Sequence, residues 1–102
     1  MDLPLQITFR GLAHSAALER AIRVRARKLE RFHRHLGSCR VVVELPDRHK
    51  RHGKQFVVRL DLKVPGGEIA INNGRHEDVR VALRDAFDAA VRKLEESARG
   101  QR

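Results

Sequence analysis

The chain contains no tryptophan and no tyrosine, one cysteine, and only four phenylalanines among 102 residues. Each shortage excludes something. A single thiol, Cys39, permits no internal disulfide, which fits a reducing, cytoplasmic setting. The apolar runs are a few residues long, far short of the ~20 needed to cross a bilayer. Met1-Asp2-Leu3-Pro4 has neither the charged region nor the apolar stretch of a signal peptide. The phenylalanines, Phe9, Phe32, Phe56 and Phe87, all fall on the apolar side of a predicted element. With none left over as a stacking platform, the composition argues against recognition of unpaired bases and for recognition of backbone charge and shape.

What the chain has in excess is positive charge: 22 Lys+Arg against 13 Asp+Glu, a net charge of +9. On a chain of this size, that points to a polyanionic partner, either nucleic acid or an anionic membrane. The hydrophobic share of 41% is enough to build a core, and the length suits one domain spanning residues 1–102. Membrane-surface binding is the weaker option. The basic helix described below lacks tryptophan, and its apolar face is needed for the core.

Apolar periodicity places the elements. Leu3, Leu5, Ile7 and Phe9 alternate as a first strand, ended by Gly11. Ser15 caps a helix running to about His35, with Gly37 as its stop signal. At about 100° per residue, Leu18, Ala21, Ile22, Leu29, Phe32 and Leu36 share one helix face. Cys39, Val41, Val43 and Leu45 alternate as a second strand ended by Pro46, and Phe56, Val58, Leu60, Leu62 and Val64 as a long third. Pro65-Gly66-Gly67 is a turn, Ile69 and Ile71 form the inward side of a short fourth strand, and Asn72-Asn73-Gly74 breaks the chain again. Glu77 and Asp78 fall in the first turn of a second helix, whose core stripe is Val79, Leu83, Ala86, Phe87, Ala90 and Leu94. The order β-α-β-β-β-α predicts an α+β fold: a four-stranded sheet with both helices on one face. The first two strands would pair in parallel through the crossover helix, and the last three would form an antiparallel meander. The expected core includes Ile7, Phe9, Leu18, Ile22, Leu29, Val41, Val43, Val58, Leu60, Ile71, Leu83 and Phe87. The order differs from the βαββαβ of an RNA-recognition motif, which also carries aromatics on its sheet.

The charge is concentrated. From Ser15 to Leu36, Arg20, Arg23, Arg25, Arg27, Lys28, Arg31 and Arg34 face only Glu19 and Glu30. Arg20, Arg23, Arg27, Arg31 and Arg34 cluster opposite the core stripe as a basic ridge. Neighbouring like charges repel by a few tenths of a kcal/mol per pair, a cost that a phosphate backbone turns into binding. Arg25 falls on the apolar side, where it either snorkels along the core edge or leaves the seam between the helices to meet phosphate. Arg48, Lys50, Arg51 and Lys54 form a second basic cluster between the second and third strands, placed to contact RNA from a loop. The second helix is nearly balanced, and Arg84, Asp88 and Arg92, four residues apart, form a salt-bridged face.

No catalytic constellation is legible: there is no Ser/His/Asp or Cys/His arrangement, no phosphate-cradling glycine loop and no paired carboxylates. His33 with His35 and His49 with His52 are the only close histidine pairs, and neither comes with a cysteine or a well-spaced acid. The expectation is a non-enzyme with no cofactor, metal or small-molecule substrate.

Two segments resemble a known family. Arg25-Ala26-Arg27-Lys28-Leu29-Glu30 is similar to the basic-x-x-Lys-Leu-Glu segment of ribosome hibernation-promoting factor and ribosome-associated inhibitor A. Gly67-Glu68-Ile69, then His76-Glu77-Asp78-Val79 with Ala82 and Leu83, resembles that family's Gly-x-hydrophobic strand and Glu-Asp-hydrophobic-x-x-Ala-hydrophobic helix start. The resemblance covers nearly the whole chain in element order. It implies a fold like the double-stranded-RNA-binding domain. It also implies binding to the small ribosomal subunit and its rRNA near the decoding centre, where messenger and transfer RNA otherwise sit, silencing translation under stress. By position, Arg25, Lys28 and Arg92 match basic positions of the family. This chain departs from the pattern at Arg80, where tyrosine is usual, and at Ala89 and Glu96, where lysines are usual. The expectation is a single domain without the C-terminal dimerisation domain of the long forms, and a protein that is monomeric off the ribosome. The alternatives are a general RNA-binding or RNA-chaperone module, and a regulatory protein with an acidic protein partner.

Overall fold

Side-chain alternation on a half-buried surface produces strands β1 (Leu5–Arg10), β2 (Ser38–Glu44), β3 (Phe56–Val64) and β4 (Gly67–His76). They form one sheet in the order β1-β2-β3-β4. The computed structural model describes residues 3–46 and 54–100. β1 runs parallel to β2, with Leu5, Ile7 and Phe9 opposite Cys39, Val41 and Val43, while β2–β3 and β3–β4 are antiparallel. The parallel pair needs a crossover, supplied by α1 (Ala16–Phe32); α2 (Val79–Gly100) follows β4. This is the expected β-α-β-β-β-α fold.

Both helices cover the same sheet face. The core joins Ile22, Ala26 and Leu29 of α1 and Ala82, Leu83, Ala86, Phe87, Ala90 and Leu94 of α2 to Cys39, Val41, Val43, Val58, Leu60, Leu62 and Ile71. Ile7 and Phe9, expected in the core, are only partly buried and pack against its edge, on a strand that has a neighbour on one side only. α2 lies against β3 and β4, and α1 packs against β1 and α2.

Three boundaries differ from the sequence expectation. α1 stops at Phe32, short of His35. The chain has to reverse before β2, and the Gly37 N–H donates to the Lys63 carbonyl at 2.8 Å, so the helix unwinds to deliver it. Leu36 is nonetheless buried, reaching the core from the turn. Asn72-Asn73-Gly74 does not break the chain; β4 runs through it. Val58 lies opposite Gly74 and Leu60 opposite Ile71, so Asn72 and Asn73 together face Arg59 as a β-bulge. The bulge shifts the alternation by one residue and turns Gly74 towards α2. A Cβ there would lie 2.7 Å from the Ala86 Cβ and 2.8 Å from the carbonyl oxygens of Ala82 and Val58. The glycine is what lets α2 sit this close to the sheet. Lastly, Glu77 and Asp78 precede α2 instead of occupying its first turn. Asp78 acts as a cap, its Oδ1 accepting from the Arg80 N–H at 2.9 Å.

Candidate nucleic-acid interface

α1 begins where Ser15 can satisfy a free backbone donor: its Oγ accepts from the Leu18 N–H at 3.2 Å. With Leu18, Ile22, Ala26 and Leu29 turned inward, the helical repeat turns Arg20, Arg27 and Arg31 outward. Arg20, Arg27 and Arg31 are all exposed. Arg23 and Glu30 take the flank towards β1, where they border Leu3 and Leu5. Arg25, Lys28 and Phe32 take the flank towards α2. Arg34, expected on the ridge, lies beyond the helix end in the following turn, exposed.

Most of these cations are uncompensated. Arg23 Nη2 meets Glu19 Oε1 at 3.2 Å, and His14 Nε2 meets the other carboxylate oxygen at 3.3 Å. The Arg23 hydrogen bond, helped by His14, holds the Glu19 carboxyl below its ordinary pKa. Arg20, Arg25, Arg27, Lys28, Arg31 and Arg34 have no ion-pair partner among the described residues. Arg25 is half-buried and lines the interhelical groove, which fits an apolar stem at the core edge and a charged head in the seam.

The second cluster is represented by Lys54 alone, exposed just ahead of β3; Arg48, Lys50 and Arg51 lie outside the described residues. On α2, Arg92 is exposed beside Asn72 and Asn73. The expected Arg84–Asp88–Arg92 ladder does not form. Arg84 pairs with the adjacent Asp85 at 3.3 Å, Lys93 reaches Glu96 at 4.0 Å, and Asp88 lines the groove facing α1. Two of the three departures from the family pattern have a local setting: Ala89 is buried in the core, and Glu96 pairs with a lysine one turn away.

One residue contradicts the sequence expectation outright. Phe32 is not on the buried stripe but 73% exposed. On the helical wheel it falls between Arg25 and Lys28, seven and four residues earlier, and that charged flank is the sequence signal for its exposure. The chain therefore does present one accessible aromatic face.

Other chemistry is sparse. Cys39 is buried, and desolvation, with the negative charge of Asp61, pushes its thiol up to about 12, so it is held neutral. Among the described residues, no group of three His, Cys, Asp or Glu could hold a metal ion, and no helix is long and apolar enough to cross a membrane.

The arrangement thus offers a polyanion an uncompensated cationic helix. Comparison with known families gives the same direction. The family described as sigma 54 modulation protein / S30EA ribosomal protein matches residues 5–102. The chain belongs to this family. Its membership bears out the resemblance carried by Arg25–Glu30 and His76–Val79, and it assigns the chain to a ribosome-associated, non-enzymatic kind of protein. No curated protein matches the sequence. Among solved structures, a ribosomal subunit interface protein from Coxiella burnetii superposes with a TM-score of 0.81 at 14% identity, over 94% of this chain and 98% of that one. The N-terminal domain of Thermus thermophilus Protein Y superposes with a TM-score of 0.74 at 18% identity, again over 94% and 98%. At such identities, these likenesses show the shared fold.

Proposed function

We propose that this chain binds the small ribosomal subunit through rRNA phosphates, occupies the site where messenger and transfer RNA otherwise sit, and silences translation under stress. The observation that carries this reading is the set of unpartnered cations on α1, in a family of ribosome-associated proteins. An ordinary solvated helix mixes its charges, as α2 does, where Arg84 and Lys93 have carboxylate partners and acids nearly balance the rest. α1 instead spends stability on like-charge repulsion, which only a polyanion relieves. Arg20, Arg27 and Arg31 are the outer contacts and Arg25 and Lys28 the inner ones; Lys54 is a further contact, as are Arg48, Lys50 and Arg51 on the strength of their charge in the sequence. Arg92 adds a lesser contact from α2.

The test is co-sedimentation of the full chain with purified small subunits across a salt series, with transfer RNA and messenger RNA as competitors. Bound protein should fall by orders of magnitude between low and moderate salt, as expected when several phosphates are neutralised. It should also be displaced by transfer RNA. Salt-insensitive binding would assign the interaction to an apolar protein contact, and binding unaffected by transfer RNA would place it elsewhere on the subunit.

A further inference from the structure

We infer that the groove between α1 and α2 is a subsite for one unpaired RNA nucleotide, with the base stacked on Phe32 and its phosphates held by Arg25 and Lys28. The inference deepens the RNA-binding reading above and rests on it.

The groove encloses about 560 Å³, within the range of roughly 300–1,000 Å³ typical of small-molecule sites. Its floor is apolar, made by the buried side chains of Leu29 and Phe87. Phe32 stands on one side, 73% exposed, and Val91 on the other, 37% exposed. An isolated exposed apolar residue needs no explanation, but Phe32 and Val91 line one groove together with its apolar floor. An aromatic ring beside cations is what recognises a nucleotide: the ring stacks on the base and the cations take the phosphates. Arg25 and Lys28 provide those charges on the α1 wall.

The opposite wall sets the orientation. Asp88 and Glu95 of α2 line it. Carboxylates repel phosphate but accept hydrogen bonds from the amino or imino groups of a base edge. The base therefore points towards α2 and the backbone runs along α1. A base inside a duplex cannot enter, so the ligand is an unpaired or extruded nucleotide. A second copy of this chain is disfavoured as occupant, because each copy carries a net charge of +9.

The experiment compares the wild-type chain with Phe32→Leu and Phe32→Tyr. Ligands are a short single-stranded RNA, a blunt RNA duplex of the same length and purified small ribosomal subunits. Leucine keeps the exposed apolar bulk and removes the π-face; tyrosine keeps the ring. Phe32→Leu should weaken binding to the single strand and to subunits by roughly five- to a hundredfold, the effect of removing one base stack. Duplex affinity and the salt slope should stay unchanged, because no charge is altered. Phe32→Tyr should bind like wild type, and ultraviolet irradiation of the wild-type complex should cross-link a base to residue 32. If Phe32→Leu matches wild type on both single strand and subunits, the subsite is overturned while ribosome binding stands. If Phe32→Leu instead abolishes self-association and leaves RNA binding intact, the groove is a protein interface and the inference also fails. If the wild-type chain binds neither subunits nor RNA, the parent reading is wrong and takes the subsite with it.

Discussion

α1 and α2 cover the same sheet face with similarly amphipathic faces, yet they use their outer surfaces differently. α2 buries Ala82, Ala86, Ala89 and Ala90 beside Leu83, Phe87 and Leu94 and lies down on Gly74. Among the described residues, two of its five cations pair with close neighbours, Arg84 with Asp85 and Lys93 with Glu96, and its acids nearly balance its charge. α1 anchors itself through Leu18, Ile22, Ala26 and Leu29, and carries cations that mostly lack partners. One helix closes the core, and the other presents charge from a position the core fixes. The difference teaches that net charge locates a binding surface poorly unless pairing is also known. Arg84 and Arg20 are the same residue type, but only Arg20 is free to meet a phosphate.

The sharpest way to break this comparison is charge reversal. Arg20, Arg27 and Arg31 changed together to Glu should abolish binding to small subunits, and the magnitude of the logarithmic salt slope should fall by roughly 0.9 for each phosphate that is no longer neutralised. The matched change of Arg84, Arg92 and Arg99 to Glu should weaken binding less. Pull-down gives the bound fraction, and circular dichroism checks that both variants fold. If the α2 triple proves more damaging, the division of labour is wrong and the dominant interface lies on α2.

Next in size are core truncations, where the two helices should behave alike. Leu29→Ala in α1 and Leu83→Ala in α2 should each cost about 2–5 kcal/mol in urea unfolding, since both side chains are nearly inaccessible. A near-zero loss for either would show that its helix is not anchored as described. Gly74→Ala tests the close approach that only α2 makes. The new methyl meets backbone carbonyls on both sides, and a loss of about 1–3 kcal/mol is expected.

The caps come last. Ser15→Ala and Asp78→Ala each remove an acceptor for a helix N–H, and each should cost about 1 kcal/mol. Neither should change the salt slope of ribosome binding. The buried thiol adds a pH test of the core that both helices share. Cys39 stays protonated in the folded chain to about 12, whereas in the unfolded chain it ionises near its ordinary value of 9.0. Above that lower value the unfolded state loses the proton first, so stability should decline as pH rises from about 9 towards 12. Cys39→Ala should flatten that part of the profile; an unchanged slope would place the effect on other groups.

Much of this was legible in the residues. Alternation in Val41–Val43 and Val58–Leu62 identified central strands, because a sheet covered on one face demands a two-residue period. The outward placement of Arg20, Arg27 and Arg31 followed from the inward placement of Leu18, Ile22 and Leu29. The errors fell where local pattern and long-range constraint compete. Asn72-Asn73-Gly74 looks like a turn by composition, but pairing with β3 absorbs it as a bulge. Phe32 looks like core by hydrophobicity, but it occupies a flank shared with Arg25 and Lys28. The ladder expected for Arg84, Asp88 and Arg92 is sterically possible on a helix, but exposed ion pairs are weak enough for a neighbouring carboxylate to displace them.

By itself the sequence determined the element order, the sheet with its two covering helices, the surplus of positive charge and its concentration in the first helix. Those properties follow from periodicity and composition, which act locally along the chain. Only the tertiary structure decided which cations remain unpaired, that Arg25, Lys28 and Phe32 share a groove with Asp88 and Glu95, and that Gly74 serves helix packing. These depend on how α1 and α2 lie against each other and against the sheet. That relation is set by the packing of side chains distant in sequence, and no local pattern encodes it.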